Sequence, residues 1–97
     1  PKQRQEKRME RLIQRSSNAF AAPLDDTLLI MSVERGQYFG LTGAGPRIWD
    51  LLENPTTEAA IVARLLDEYD VPADECTREV ATFVSGLRDR GLLNDLP

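Results

Sequence analysis

The chain changes its hydrophobic rhythm near residue 42, and the change separates a strand-forming part from a helix-forming part. Before it, apolar residues come in short runs bounded by polar clusters. Thr27-Leu28-Leu29-Ile30-Met31-Ser32 is one such run, and Gln37-Tyr38-Phe39-Gly40-Leu41 is a second, with aromatic residues that suit a pleated surface. Val33-Glu34-Arg35-Gly36 lies between them and places glycine where a hairpin loop needs a positive φ. Ala19-Phe20-Ala21-Ala22 predicts a short first strand, and Pro23-Leu24-Asp25-Asp26 predicts the turn out of it.

Beyond Thr42 the apolar positions fall at helical spacing. Thr42-Gly43-Ala44-Gly45-Pro46 offers a capping hydroxyl and a proline suited to a first helical turn, and Ile48, Trp49, Leu51 and Leu52 then form an apolar face. Asn54-Pro55 ends this helix, because a residue before proline avoids helical ψ. Thr56 is placed to cap a second helix, in which Ile61, Leu65 and Tyr69 recur with Val62 and Leu66 beside them. After Asp70-Val71-Pro72-Ala73, a third helix is predicted over 73–90, with Cys76, Val80, Phe83 and Leu87 on one line and Val84 beside it. Gly91 suits the position after a helix end, and Leu92-Leu93 should fold back onto the core. The fold class is α+β: a three-stranded antiparallel sheet followed by three helices, in winged-helix-like order.

Residues 1–17 stand apart from this pattern. Within 1–15, six cations (Lys2, Arg4, Lys7, Arg8, Arg11, Arg15) against Glu6 and Glu10 leave +4, so the total of −4 puts −8 on the remainder. Met9, Leu12 and Ile13 form one short stripe at helical spacing. The segment reads as a basic extension, helical or disordered, and 18–97 as the domain. No apolar region follows the basic residues, so they do not resemble a secretory signal. No apolar run approaches the roughly 20 residues that span a bilayer. The single cysteine, Cys76, cannot make an internal disulfide, which fits a cytoplasmic location.

Catalytic chemistry finds little to work with. Histidine is absent, and with one cysteine neither a Cys–His nucleophile pair nor an ordinary N/S zinc site can be assembled within the chain. Asp25-Asp26, Asp67-Glu68 and Asp74-Glu75 sit at predicted turns and helix ends, where capping and solvation explain them. Gly43-Ala44-Gly45 lacks the further glycine and the lysine of a phosphate loop. The expectation is no enzyme, no cofactor and no metal.

The ordered set Glu34-Arg35-Gly36-Gln37-Tyr38-Phe39-Gly40-Leu41-Thr42-Gly43-Ala44-Gly45, then Ile48-Trp49-Asp50-Leu51-Leu52, resembles the PqqD-like family of peptide-recognition domains. Thr56-Thr57-Glu58, Leu65-Leu66-Asp67-Glu68-Tyr69-Asp70-Val71, Glu79-Val80, Phe83-Val84, Leu87 and Gly91-Leu92-Leu93 continue the resemblance, which covers about residues 19–93. Two positions depart from the family pattern: Thr42 stands where asparagine is common, and Glu79 where aspartate is. The resemblance implies a RiPP recognition element, which binds the leader of a ribosomally made precursor peptide and presents it to modifying enzymes. Its size resembles the freestanding members, either a PqqD-type chaperone or the discrete recognition protein of lasso-peptide systems. The partners then expected are the leader peptide and enzymes such as a leader peptidase, a cyclase or a radical enzyme, with no membrane.

The residues themselves suggest how such binding would work. The third strand of a three-stranded sheet keeps one edge of unpaired backbone groups, so Gln37, Tyr38, Phe39, Gly40 and Leu41 can accept an added strand. The third helix is the expected second wall, with its Cys76, Phe83 and Leu87 line toward the sheet. Thr77, Val80, Ala81, Val84 and Arg88 are the candidate lining: Ala81 small enough to admit a bulky side chain, Arg88 able to pair with a leader carboxylate. Two other classes compete. A winged helix that binds DNA is disfavoured by the acidic body, since affinity for nucleic acid rests on cations that neutralise phosphates. A structural subunit that docks on a larger enzyme would use the basic segment as its handle. An open edge also permits a homodimer.

Overall fold

The computed structural model describes residues 10–97. Three strands, β2 (Ala19–Leu24), β3 (Thr27–Ser32) and β4 (Gln37–Leu41), form an antiparallel sheet in the order β2-β3-β4. Three helices follow, α1 (Gly45–Leu51), α2 (Glu58–Glu68) and α3 (Ala73–Asp89). The expected α+β order is therefore present. So is the glycine logic of its turns: Gly36 closes the β3–β4 hairpin at φ 62°, and Gly91 follows α3 at φ 72°.

The register fixes which side chains meet. Ala21, Ile30 and Phe39 form one cross-strand row on the inner face, and Phe20, Met31 and Tyr38 form the matching row on the outer face. Ile30 is fully buried, whereas Tyr38 is 67% exposed. This is the alternation of a sheet with one face on the core. The core itself joins Ile30 and Leu41 to Ile48, Trp49 and Leu52 of the α1 region, Ile61, Val62 and Leu65 of α2, and Cys76, Val80, Val84 and Leu87 of α3.

The structure corrects three readings. The turn after the first strand is shorter than expected, because β2 continues through Pro23 and Leu24 and only Asp25 and Asp26 turn, Asp25 at φ 56°. Proline is tolerated there because β2 is an edge strand whose outer side needs no donor. The cap of α2 is Thr57, whose Oγ1 accepts from the Ala60 N–H at 3.1 Å. Thr56 instead exchanges both backbone hydrogen bonds with Ile13, at 2.7 and 2.9 Å.

That bridge belongs to the largest correction. Residues 13–15 are not part of an appended arm: Ile13–Arg15 is a strand, β1, paired antiparallel with β5 (Leu93–Asp95) in a separate two-stranded ribbon. Ile13 is 1% exposed and packs in the core. The Arg15 N–H donates to the Leu52 carbonyl and the Ser16 N–H to the Leu92 carbonyl, both at 2.9 Å. The Arg15 guanidinium lies 5.4 Å from the Trp49 ring centre and donates to the Trp49 carbonyl. The helical stripe proposed for Met9, Leu12 and Ile13 is thus replaced by a strand at Ile13, while Met9 lies outside the described residues. Leu92 and Leu93 do fold onto the core, and β5 is the route by which they do so.

Candidate functional site

Among the described residues the sheet has two open edges, β2 and β4. Among the described residues, β4 pairs with β3 alone, and no backbone hydrogen bond from outside the sheet reaches residues 37–41. β2 is the other border, but Pro23 removes one of its donors. Beside β4 runs α3, and side chains bridge the two. The ring of Phe83 and the Cβ of Leu41 both meet at Gly45, where an added methyl would lie 3.3 Å from the ring and 3.2 Å from Leu41. At the other end the Arg90 guanidinium stands 4.8 Å over the Phe39 ring, and Arg35 Nη1 donates to the Asp89 carbonyl at 3.0 Å. Phe83 thus lies by the end of β4 and residues 89–90 by its start, so this part of the helix runs antiparallel to the strand.

Helical spacing decides which α3 residues share that groove. Glu79, Phe83, Gly86 and Arg90 recur at intervals of three and four and form one flank. Gly86 has no side chain, and a methyl placed there would touch only Arg90 Nη1, at 3.6 Å. Beyond Leu41, Gly43 and Ala44 join Leu65, Tyr69, Val71, Cys76, Glu79 and Val80 around an apolar cavity of about 330 Å³. Burial pushes the Cys76 thiol pKa up, with the Glu79 charge adding to it, so the sulfur there is neutral lining.

The expected site residues divide accordingly. Gln37, Tyr38, Phe39, Gly40 and Leu41 form the open edge. Val80 and Val84 are core residues, 1% and 0% exposed, and Val80 also contributes to the cavity lining. Ala81 and Arg88 lie on the opposite flank of α3, around a cavity shared with Arg11, Glu58, Ser85 and Asp95. Thr77 points its hydroxyl back to the Ala73 carbonyl. Arg88 is already committed, since Nε and Nη2 donate to the two Asp95 carboxylate oxygens at 2.9 and 2.8 Å. This fork holds the Asp95 carboxyl below its ordinary pKa and raises that of Arg88. On α3 the expected lining thus lies away from β4, apart from the buried Val80 and Val84, whereas Phe83, Arg90 and Arg35 lie near β4 or its preceding hairpin. Gly86 and the two arginines were not singled out in the sequence. The signal was Gly86, because a glycine within a helix costs roughly 1 kcal/mol against alanine and marks a place where something approaches the backbone.

An α+β domain of winged-helix type, with one unpaired strand edge facing a helix across a partly apolar groove, is the class that fold and site define. The chain belongs to the PqqD family: the family model described as "Coenzyme PQQ synthesis protein D (PqqD)" matches residues 27–93. Two solved structures are similar over nearly their whole length. One, "TbiB1 in Complex with the TbiA(beta) Leader Peptide", is 31% identical with a TM-score of 0.77, covering 87% of this chain and 98% of the other. The second, "Lasso peptide synthetase B1 complexed with the leader peptide", has a TM-score of 0.74 over 88% of this chain and 98% of that one. At 22% identity it speaks for the fold alone. No curated protein sequence matches the chain.

Proposed function

We propose that this protein binds the leader segment of a ribosomally made precursor peptide, as an extra strand on β4 in the groove beside α3, and presents it to lasso-peptide modifying enzymes without performing chemistry itself. The observation that carries the reading is the β4 edge, open from Gln37 to Leu41 among the described residues and walled by Phe83, Gly86 and Arg90. Similarity over 98% of a chain solved with a leader peptide supports it. Backbone pairing supplies affinity with little preference for sequence, and the cavity past Leu41 supplies selection by taking an apolar side chain.

The interface is small, at or below about 1,200 Å² in total, and a flexible leader loses freedom on binding. Dissociation constants on the order of 0.01 to 10 μM follow, which suits a carrier that must release its cargo. Hydrogen exchange tests the site directly, with the leader of a precursor encoded beside this chain as the probe. Slowed exchange confined to amides of 37–41 and the α3 flank at 83–90 is the expected result. Saturating peptide that leaves the β4 amides unchanged would overturn strand addition. DNA binding gains no support, because Asp74, Glu75, Glu79 and Asp89 interrupt any basic face on α3.

A further inference from the structure

We infer that the groove selects leaders bearing a carboxylate side chain at the end where Arg35 and Arg90 lie, beside the start of β4. This rests on the reading of β4 as a peptide-binding edge and adds the chemistry of what that edge accepts. Among the described residues, Arg15, Arg47, Arg64 and Arg88 each have a carboxylate partner. Arg35 and Arg90, like Arg11 and Arg78, enter no ion pair, although the sequence from residue 16 onward carries a net −8; Arg35 and Arg90 are the two of these placed beside the start of β4. Both are nonetheless held in place by neutral groups. Arg35 donates to the Asp89 carbonyl, and its guanidinium lies about 3.2 Å from the point a Cβ on Gly91 would occupy. Arg90 folds back along α3 so that Nη1 sits near Gly86 while the guanidinium covers Phe39 on β4. The Arg90 side chain therefore spans the groove from helix to strand.

Neither partner neutralises the charge. A guanidinium over an aromatic ring at an open site is held less strongly than one forked onto a carboxylate, so an incoming acidic side chain takes Arg90 from the ring. Swinging toward such a ligand also clears the strip of groove between Gly86 and Phe39 that an added strand needs. The opposite end has the reverse character, with Glu79 beside the apolar cavity. An acidic residue there would meet a like charge. The two ends thus impose a direction: apolar side chain in the cavity past Leu41, acidic side chain at the Gln37 end. This cationic pair takes the role that the sequence suggested for Arg88, which Asp95 already occupies.

A random peptide library displayed on phage provides the probe, selected separately on the unmodified protein and on the Arg35→Glu/Arg90→Glu variant. The unmodified protein should enrich peptides with Asp or Glu at a fixed distance from an apolar residue. The variant should enrich Lys or Arg at that same position and bind the acidic peptides at least about tenfold more weakly. Arg90→Gln leaves the Arg35 bond to the helix end intact and should lower affinity for the acidic peptides in the same direction, with circular dichroism unchanged. Peptides enriched without any acidic preference, or an identical preference in the charge-reversed variant, would overturn the inference while leaving strand addition standing. Enrichment of no peptide by either protein would overturn the strand-edge reading beneath it as well.

Discussion

Arg88 and Asp95 face each other as a two-pronged pair, with both hydrogen bonds shorter than 3 Å, and so tie the last turns of α3 to β5. The pair is structural and sits on the flank of α3 away from β4. Arg88→Ala should leave leader affinity unchanged within about twofold and reduce stability by ~0.5–1 kcal/mol, the size expected for a partly exposed ion pair. Urea melts and a binding titration on the same variant separate the two effects. A loss of affinity larger than the loss of stability would return Arg88 to the groove.

The same pair sets a pH dependence, together with Arg47 and Glu68. Arg88 lowers the Asp95 pKa, chiefly through its hydrogen bonds, and Arg47 lowers that of Glu68 in the same way, at 2.8 Å on both oxygens. A carboxyl with a depressed folded-state pKa binds protons more readily when unfolded. Its contribution is therefore complete above the ordinary carboxylate range near 4 and is lost as pH falls through the depressed values. Melting temperature should be flat from pH 7 to about 5 and fall below about 4. Asp95→Asn should shrink that fall, and an unchanged acid limb would show the pair to be inert.

Val84 is enclosed completely, so a charge there has no route to water. Val84→Asp should unfold the domain or cost at least ~3 kcal/mol, seen as lost helical circular dichroism. Ala81→Asp on the exposed side of the same helix should fold normally. A folded Val84→Asp variant that merely fails to bind peptide would place this residue in the groove.

Gly86 separates stability from binding. Space is open at its Cβ position, so Gly86→Ala should stabilise the helix by about 0.5–1 kcal/mol. Gly86→Leu should keep much of that gain and yet fill the strip between α3 and Phe39, weakening leader binding by about tenfold or more. A melting curve and a titration on both variants check this, and tight binding by Gly86→Leu would show that the peptide passes elsewhere.

Ile13 is a core residue in a segment that reads as an arm. Ile13→Ala should cost about 2–4 kcal/mol, as for other buried large-to-small changes, and removing residues 1–17 should cost at least as much, since the β1–β5 pairing goes with it. Chemical denaturation measures it. A domain begun at residue 18 with full stability would mean that the β1–β5 ribbon is dispensable.

How much of this was readable beforehand depends on the range of the interaction. Strands Thr27–Ser32 and Gln37–Leu41 follow from apolar runs cut by turn residues, and the hairpin from Gly36, because neighbours in sequence create those preferences. The family resemblance likewise rests on ordered local pieces from Glu34 to Leu93. β1 was not legible: its three residues are too short to show a period, and their partners Leu52, Thr56 and Leu93 lie some 37 to 78 positions away. Which α3 side chains border β4 was not legible for a related reason. A hydrophobic line on α3 says which side is buried, but which flank borders β4 and which borders α2 and β5 depends on how the helix is rolled and crossed.

The sequence by itself therefore determined the order from Ala19 to Asp89, three strands and then three helices, since each of those elements is a property of a short stretch of chain. Tertiary structure decided that Ile13 belongs to the core, that Asp95 holds Arg88, and that Gly86 and Arg90, not Ala81 and Arg88, face the strand. Those assignments depend on the packing angle of one helix against a sheet and a ribbon. That angle is fixed by side chains far apart in the chain interlocking at once, which no local pattern encodes.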